Sequence, residues 1–177
     1  MKNISIGLIH YPVYNKNKDI IASSITNLDI HDIARCARTY GLEKYFIVHP
    51  QELQREFASK LISFWREGYG KEYNQDRSTA LDIVEIVADL QEIEKRYGKH
   101  KIIVTTAQNR SNGINFNDLV KEATSNPLTK YLLLFGTGWG MSEDIFKTAD
   151  FTLQPVLGAG EYNHLSVRSA VAIIIDR

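Results

Sequence analysis

Apolar positions along the chain fall into two kinds of run. The first is short and continuous: residues 4–10 (ISIGLIH), 44–48 (KYFIV), 101–106 (KIIVTT) and 130–135 (KYLLLF). Such runs predict strands buried on both faces. Pro12 closes the first, because proline cannot continue a ladder. Residues 82–88 (DIVEIVA) are rich in β-branched side chains and predict another strand. Residues 150–153 predict a short one before Pro155. The second kind of run repeats at helical spacing. Ile30, Ile33, Ala34 and Ala37 form one stripe over residues 27–41, with Thr26 or Asn27 as cap and Gly41 as the terminating residue. Residues 51–67 predict a helix with Leu53, Phe57, Leu61 and Phe64 on one face. Shorter helices are expected over 90–97, ended by Gly98, over 115–123, capped by Asn115 or Asn117, and over 142–146, capped by Ser142. Residues 13–26 and 68–79 carry no packing pattern and predict loops. Residues 163–177 read as a strand by their Val and Ile content and as a buried helix by their length.

Buried strands alternating with amphipathic helices imply an α/β fold, a mostly parallel sheet with helices on both faces. No repeat or linker divides the chain, so residues 1–177 read as one domain. Composition adds limits. The chain is 44% hydrophobic and 24% charged, an ordinary globular balance. Lys and Arg total 21 and Asp and Glu total 21, so any grip on a polyanion has to come from a local basic cluster. The apolar runs 131–135 and 170–175 are far short of a membrane span, and the first residues lack a cleavage pattern. A single cysteine, Cys36, excludes an intrachain disulfide framework and a cysteine-rich metal site. A cytoplasmic setting is expected, with no membrane and no metal.

Ligands of open α/β sheets bind beyond the carboxyl ends of the strands. Three loops there are unusual. Residues 136–140 (GTGWG) place three glycines after a buried strand, which lets backbone approach a ligand and expose N–H groups. A tight turn that merely needs positive φ is the plain alternative. Residues 154–164 (QPVLGAGEYNH) and 105–113 (TTAQNRSNG) are the other two. Beside the apolar stripe of the first helix, Asn27, His31, Arg35 and Arg38 share a side, and Asp32 lies within reach of Arg35. Arg110 and Arg168 are further members of a candidate basic cluster. His10, His49 and His100 show no metal-ligand spacing and read as structural or solvent-facing.

Taken in order, these segments resemble the SPOUT class of S-adenosylmethionine-dependent RNA methyltransferases. Residues 27–41 resemble its first motif, with Arg35 at the family arginine's position. Residues 132–140 (LLLFGTGWG) resemble the second, with Trp139 where a glutamate often stands. Residues 155–175 resemble the third, with Ser166 in place of its asparagine and Arg168 in place of its last serine. The small group found alone or fused to a tRNA guanine-N1 methyltransferase is the nearest likeness. The resemblance implies a C-terminal trefoil knot, a helix over 163–177, a homodimer, an RNA substrate and a functional link to tRNA guanine-N1 methylation. It implies a bent S-adenosylmethionine held largely by backbone of the knot loops. That assigns to the cofactor Thr105 and Thr106; Phe135, Gly136, Thr137, Gly138, Trp139 and Gly140; and Leu157, Gly158, Asn163, His164, Leu165 and Ser166. On the substrate side, Arg35 would position phosphate or ribose, since its pKa above about 12 makes it a poor base. Asp32 would be the base, with Ser166 and Arg168 completing the site and Arg168 able to reach from a second subunit. Two other functions stay open: a cofactor-binding, RNA-binding module without transfer activity, and a nucleotide-binding regulator of flavodoxin-like type.

Overall fold

The computed structural model describes residues 3–110, 113–160 and 162–177. In chain order the elements are β1 (Ile4–Ile9), β2 (Val13–Tyr14), β3 (Ile20–Ile21), α1 (Asn27–Thr39), β4 (Tyr45–Val48), α2 (Glu52–Arg66), α3 (Tyr69–Tyr73), α4 (Gln75–Leu81), β5 (Val84–Val87), α5 (Leu90–Tyr97), β6 (Lys101–Val104), β7 (Gly113–Ile114), α6 (Phe116–Ser125), β8 (Tyr131–Gly136), α7 (Glu143–Lys147), β9 (Phe151–Leu153) and α8 (Val167–Asp176). Seven strands make one sheet in the order β5-β4-β1-β8-β6-β9-β7, and every pairing in it is parallel. The α/β class expected from the alternating runs is therefore the one observed.

Both faces of the sheet are covered. One buries Ile6, Leu8, Tyr45, Ile47 and Leu133 against Ile30, Ile33, Ala34 and Ala37 of α1, Ala58 and Ile62 of α2, and Val171 and Ile175 of α8. The other buries Ile9, Phe46, Val48, Leu132 and Leu134 against Ile93 of α5 and Ile145 of α7. The central strands β1, β4 and β8 are therefore apolar at nearly every position, the buried Ser5 of β1 aside, which is why they read as apolar runs. The chain builds outward from β1 to β4 and β5, then crosses to β6 and later sets β8 beside β1. The carboxyl ends of β1 and β8 flank the point where this winding reverses, the usual crevice of such sheets. Among the described residues no helix is long and apolar enough to cross a membrane.

Four expectations change. Residues 13–26 contain the antiparallel hairpin β2–β3, which is too short to show an apolar alternation and docks through the fully buried Val13 and the partly buried Ile21. Residues 68–79 are mostly helical; α4 is capped by Asn74, whose side chain accepts from the Arg77 N–H, but glycines and short length hide the pattern. Ser142 precedes α7 without capping it: its hydroxyl is buried and has no hydrogen-bond partner among the described residues. The C-terminal stretch is a helix only from Val167, where the Ser166 hydroxyl accepts from the Ser169 N–H.

Three of the four α2 stripe residues face outward, and Leu61 packs half-buried against the core. Leu53, Phe57 and Phe64 are 78%, 46% and 50% exposed, while Ala58 and Ile62 are buried. The sheet admits the compact Ala58 side next to it, and α3 and α4 occupy the flank. Ile62→Ala should therefore cost about 2–5 kcal/mol in urea unfolding, by creating a cavity. Leu53→Ser should change stability by no more than about 0.5 kcal/mol. Equal losses would contradict this orientation of the helix.

Candidate active site

The glycine turn after β8 is bolted to the hairpin that follows β1. The Tyr14 N–H donates to the Gly140 carbonyl at 2.9 Å, the Trp139 N–H to the Tyr14 carbonyl at 2.9 Å, and the Ser142 N–H to the Pro12 carbonyl at 3.1 Å. Gly138 has φ +57°, and a Cβ there would stand 2.8 Å from the Tyr14 carbonyl oxygen. Glycine is required here by the chain's own backbone and by the left-handed conformation. Gly140, at φ +99°, needs glycine for its conformation alone. The Thr137, Trp139 and Gly140 N–H groups are all used internally. So the turn does not display a row of donors. Among the described residues it leaves the Gly138 N–H and the Gly138 and Trp139 carbonyls without a backbone partner, and Trp139 is 66% exposed.

Beneath the turn lies a buried polar cluster. His10 and His49 follow β1 and β4, are 0% and 1% exposed, and have ring centroids 5.7 Å apart. His10 Nδ1 meets the Ser23 hydroxyl at 3.0 Å, Ser23 meets the Thr137 hydroxyl, and Thr137 donates to the Ile9 carbonyl at 3.1 Å. Burial, and then the neighbouring His49, push His10 down to about 4.

The second half of the site is built by α1 and α8, which lie side by side. Asp29, in the first turn of α1, is buried; its N–H donates to the Thr26 hydroxyl, which in turn donates to the Asp29 carboxylate at 2.6 Å. Arg168, in the first turn of α8, donates to the other oxygen of that carboxylate at 2.7 Å and stands 3.5 Å from Asp32. At the far ends, the Tyr40 hydroxyl donates to Asp176 at 2.6 Å. Asp32 thus pairs with Arg168 of its own chain rather than with Arg35. Arg35 is exposed and its side chain has no hydrogen bond or ion pair among the described residues. His31 does not extend that stripe freely: it packs edge-on to Trp65, over which Arg77 stacks at 4.3 Å. Arg110 pairs with Glu143 and stacks on Phe146 at 3.7 Å.

The remaining candidates divide by exposure. Phe135 is core, and the Thr105 hydroxyl is buried and donates to the Leu134 carbonyl. Thr106 accepts from the Gln108 N–H. The Gly136 Cβ position is filled by Met141, 2.7 Å away. Leu157, Gly158, His164, Leu165 and Ser166 are exposed. Asn163 ties their loop to the exit of β6 through a 3.0 Å bond from its amide to the Ala107 carbonyl. The structure therefore brings the three loops to one end of the sheet, with Ser166 and Arg168 leading from the third into α8. Sequence reasoning missed Asp29, His10, Ser23 and His49. The Thr-x-x-Asp spacing of Thr26 and Asp29 is a helix-start signature that marks Asp29; nothing local marks the others.

Comparison with known proteins is consistent across the chain. The profile of a family described as SAM-dependent RNA methyltransferase matches residues 3–177. The chain is 41% identical over 180 residues to a tRNA (guanine-N(1)-)-methyltransferase of Oleidesulfovibrio alaskensis, covering 99% of this chain and 42% of that protein. It is 40% identical over 181 residues to an uncharacterized protein of Aquifex aeolicus, covering 99% of this chain and 88% of that one. The fold is similar to the crystal structure of an Aquifex aeolicus TrmH/SpoU tRNA modifying enzyme, with a TM-score of 0.58, 17% identity, and coverage of 99% of this chain and 73% of that one.

The Asp29–Arg168 pair generates a stability test. Arg168→Ala leaves a buried carboxylate without its cation and should cost about 3 kcal/mol in urea unfolding. Asp29→Asn combined with Arg168→Ala should recover much of that loss. A double variant as unstable as the single one would show that the pair's charge is not what matters.

Proposed function

The chain belongs to the SAM-dependent RNA methyltransferases, and from that premise we propose that it transfers a methyl group from S-adenosylmethionine to RNA at the carboxyl end of the sheet. The observation that carries this reading is that the family match runs over residues 3–177, through all three loops that meet at the tips of β1, β6 and β8. The chain spans less than half the length of the Oleidesulfovibrio relative, so a link to tRNA guanine-N1 methylation is part of the proposal. So are the C-terminal trefoil knot and a cytoplasmic location.

The residues suit the cofactor. The open Gly138 N–H and the open carbonyls of Gly138 and Trp139 offer a donor and acceptors for a base or amino group. Trp139 in the turn, and Leu157 and Leu165 in the segment between β9 and α8, are exposed apolar side chains. Bound there, the cofactor supplies an activated methyl group on a sulfonium. The chain's part is orientation and proton handling. Arg35, which pairs with no carboxylate among the described residues, is disposed to hold an RNA phosphate or ribose. Asp32 is the proposed proton acceptor, and Arg168 holds it beside α8. Ser166 caps α8 and sets where Arg168 begins.

Transfer of a labelled methyl group to bulk tRNA and rRNA tests the reading. Arg35→Ala should abolish transfer and leave affinity for the cofactor within a few-fold. The helix survives the change, because alanine is the better helix former and Arg35 points away from the core. Full activity in that variant would reduce the arginine to a solvated side chain.

We also infer a homodimer through α1 and α8. Leu28 is 59% exposed and Leu165 is 45% exposed at the starts of these neighbouring helices, and Ala172 lies exposed on α8. Light scattering at micromolar concentration should give twice the chain mass of 20.2 kDa. A single-chain mass would overturn the dimer.

A further inference from the structure

The buried cluster at the strand tips holds more hydrogen bonding than the sheet needs. Its proton positions follow from the donors. Thr137 donates to the Ile9 carbonyl, so the Ser23 hydroxyl proton goes to the Thr137 oxygen. Ser23 then accepts from His10, whose Nδ1 carries the hydrogen. At His49 the Gln51 N–H donates to Nδ1, so Nε2–H donates to the Ser23 carbonyl at 3.0 Å. The Ser23 N–H donates to the His10 carbonyl at 2.9 Å. Burial favours the uncharged form of both rings, and Ser23 is gripped at its N–H, its carbonyl and its hydroxyl.

We propose that His10 is a positioning residue for cofactor binding: through Ser23 and Thr137 it fixes the glycine turn and ties that turn to the segment leading into α1. This rests on the reading of the turn as the cofactor's site. Three observations carry it. The strands β4, β1 and β8 are already joined by their ladders, so the sheet does not need the side-chain chain. That chain ends on Thr137, one residue before the Gly138 N–H and carbonyl that stay open. His10 Nε2 is buried with no partner among the described residues, a cost that a ring kept only to fill space would avoid. Ser23 lies three residues before Thr26, which caps α1 and holds Asp29. The relay thus links the cofactor's turn to the helix that carries Asp32 and Arg35.

The test uses the full chain with Trp65→Phe, so that emission comes from Trp139 alone, titrated with S-adenosylhomocysteine. Circular dichroism and melting report the fold of each variant. Emission should respond saturably in this background. His10→Leu and Ser23→Ala should each weaken binding about tenfold, the loss of one hydrogen bond at the turn. Their combination should be no weaker than the worse single variant, because one chain is broken only once. His10→Asn, whose amide N–H stands where the ring Nδ1–H stood, should restore binding to within about twofold of the parent. Should His10→Leu not fold, Ser23→Ala decides. Folded His10→Leu or Ser23→Ala protein that binds as tightly as the parent overturns the relay, even if its melting point falls. Binding by calorimetry without any Trp139 response overturns the placement of the cofactor, and the relay's role with it.

Discussion

A buried carboxylate has to be met by a cation, and in this protein that demand joins the two ends of the fold. Asp29 sits under the start of α1, where Thr26 satisfies one oxygen and Arg168 the other. The Asp29 side chain is 7% exposed, so its charge calls for a cation, and α8 begins where Arg168 can reach it. The segment between β9 and α8 thus joins the strand tips to a helix that lies against α1. Asn163 anchors the crossing on Ala107. The third loop is therefore held from both ends, although most of its residues are exposed.

The glycine turn shows how little of a site's chemistry is donor supply. Its N–H groups are largely spent on the hairpin and on the turn itself, and Gly138 is glycine because the Tyr14 carbonyl lies against it. Among the described residues, what stays open is the Gly138 N–H, the Gly138 and Trp139 carbonyls and the exposed Trp139 side chain. A site of the proposed kind would discriminate by fit and by acceptors. It also depends on the turn being rigid, since the same atoms in a loose loop would be hydrated. The hairpin supplies rigidity from above, and the side chains of His10, Ser23 and Thr137 supply it from within.

Charge is distributed to the same end. The net charge is zero, and most arginines near the site are spoken for: Arg168 by Asp29 and Asp32, Arg110 by Glu143, Arg77 by the Trp65 ring. Among the described residues, Arg35 and Arg38 of α1 remain unengaged. Attraction of a polyanion would thus be short-ranged, with a shallow dependence on salt, and selection would fall to the few groups that can reach a bound nucleotide.

The sequence by itself determined the α/β class, the central strands and the chief helices, because strands covered on both faces must be apolar throughout and α1 must carry a stripe. It also marked the three loops, since glycine, proline and polar residues cluster where strands end. The C-terminal helix was settled by resemblance rather than by periodicity, for a helix apolar on most sides looks like a strand. Only the tertiary structure decided the rest. The outward turn of Leu53, Phe57 and Phe64 depends on how α3 and α4 crowd α2, and neither short helix has a readable pattern. Asp32 and Arg35 are neighbours in sequence, yet Asp32 belongs to Arg168, 136 residues away by number, because a carboxylate pairs with whatever packing brings near. His10, Ser23 and Thr137 carry no shared motif; three separate strand and loop ends must meet before their hydrogen bonds exist.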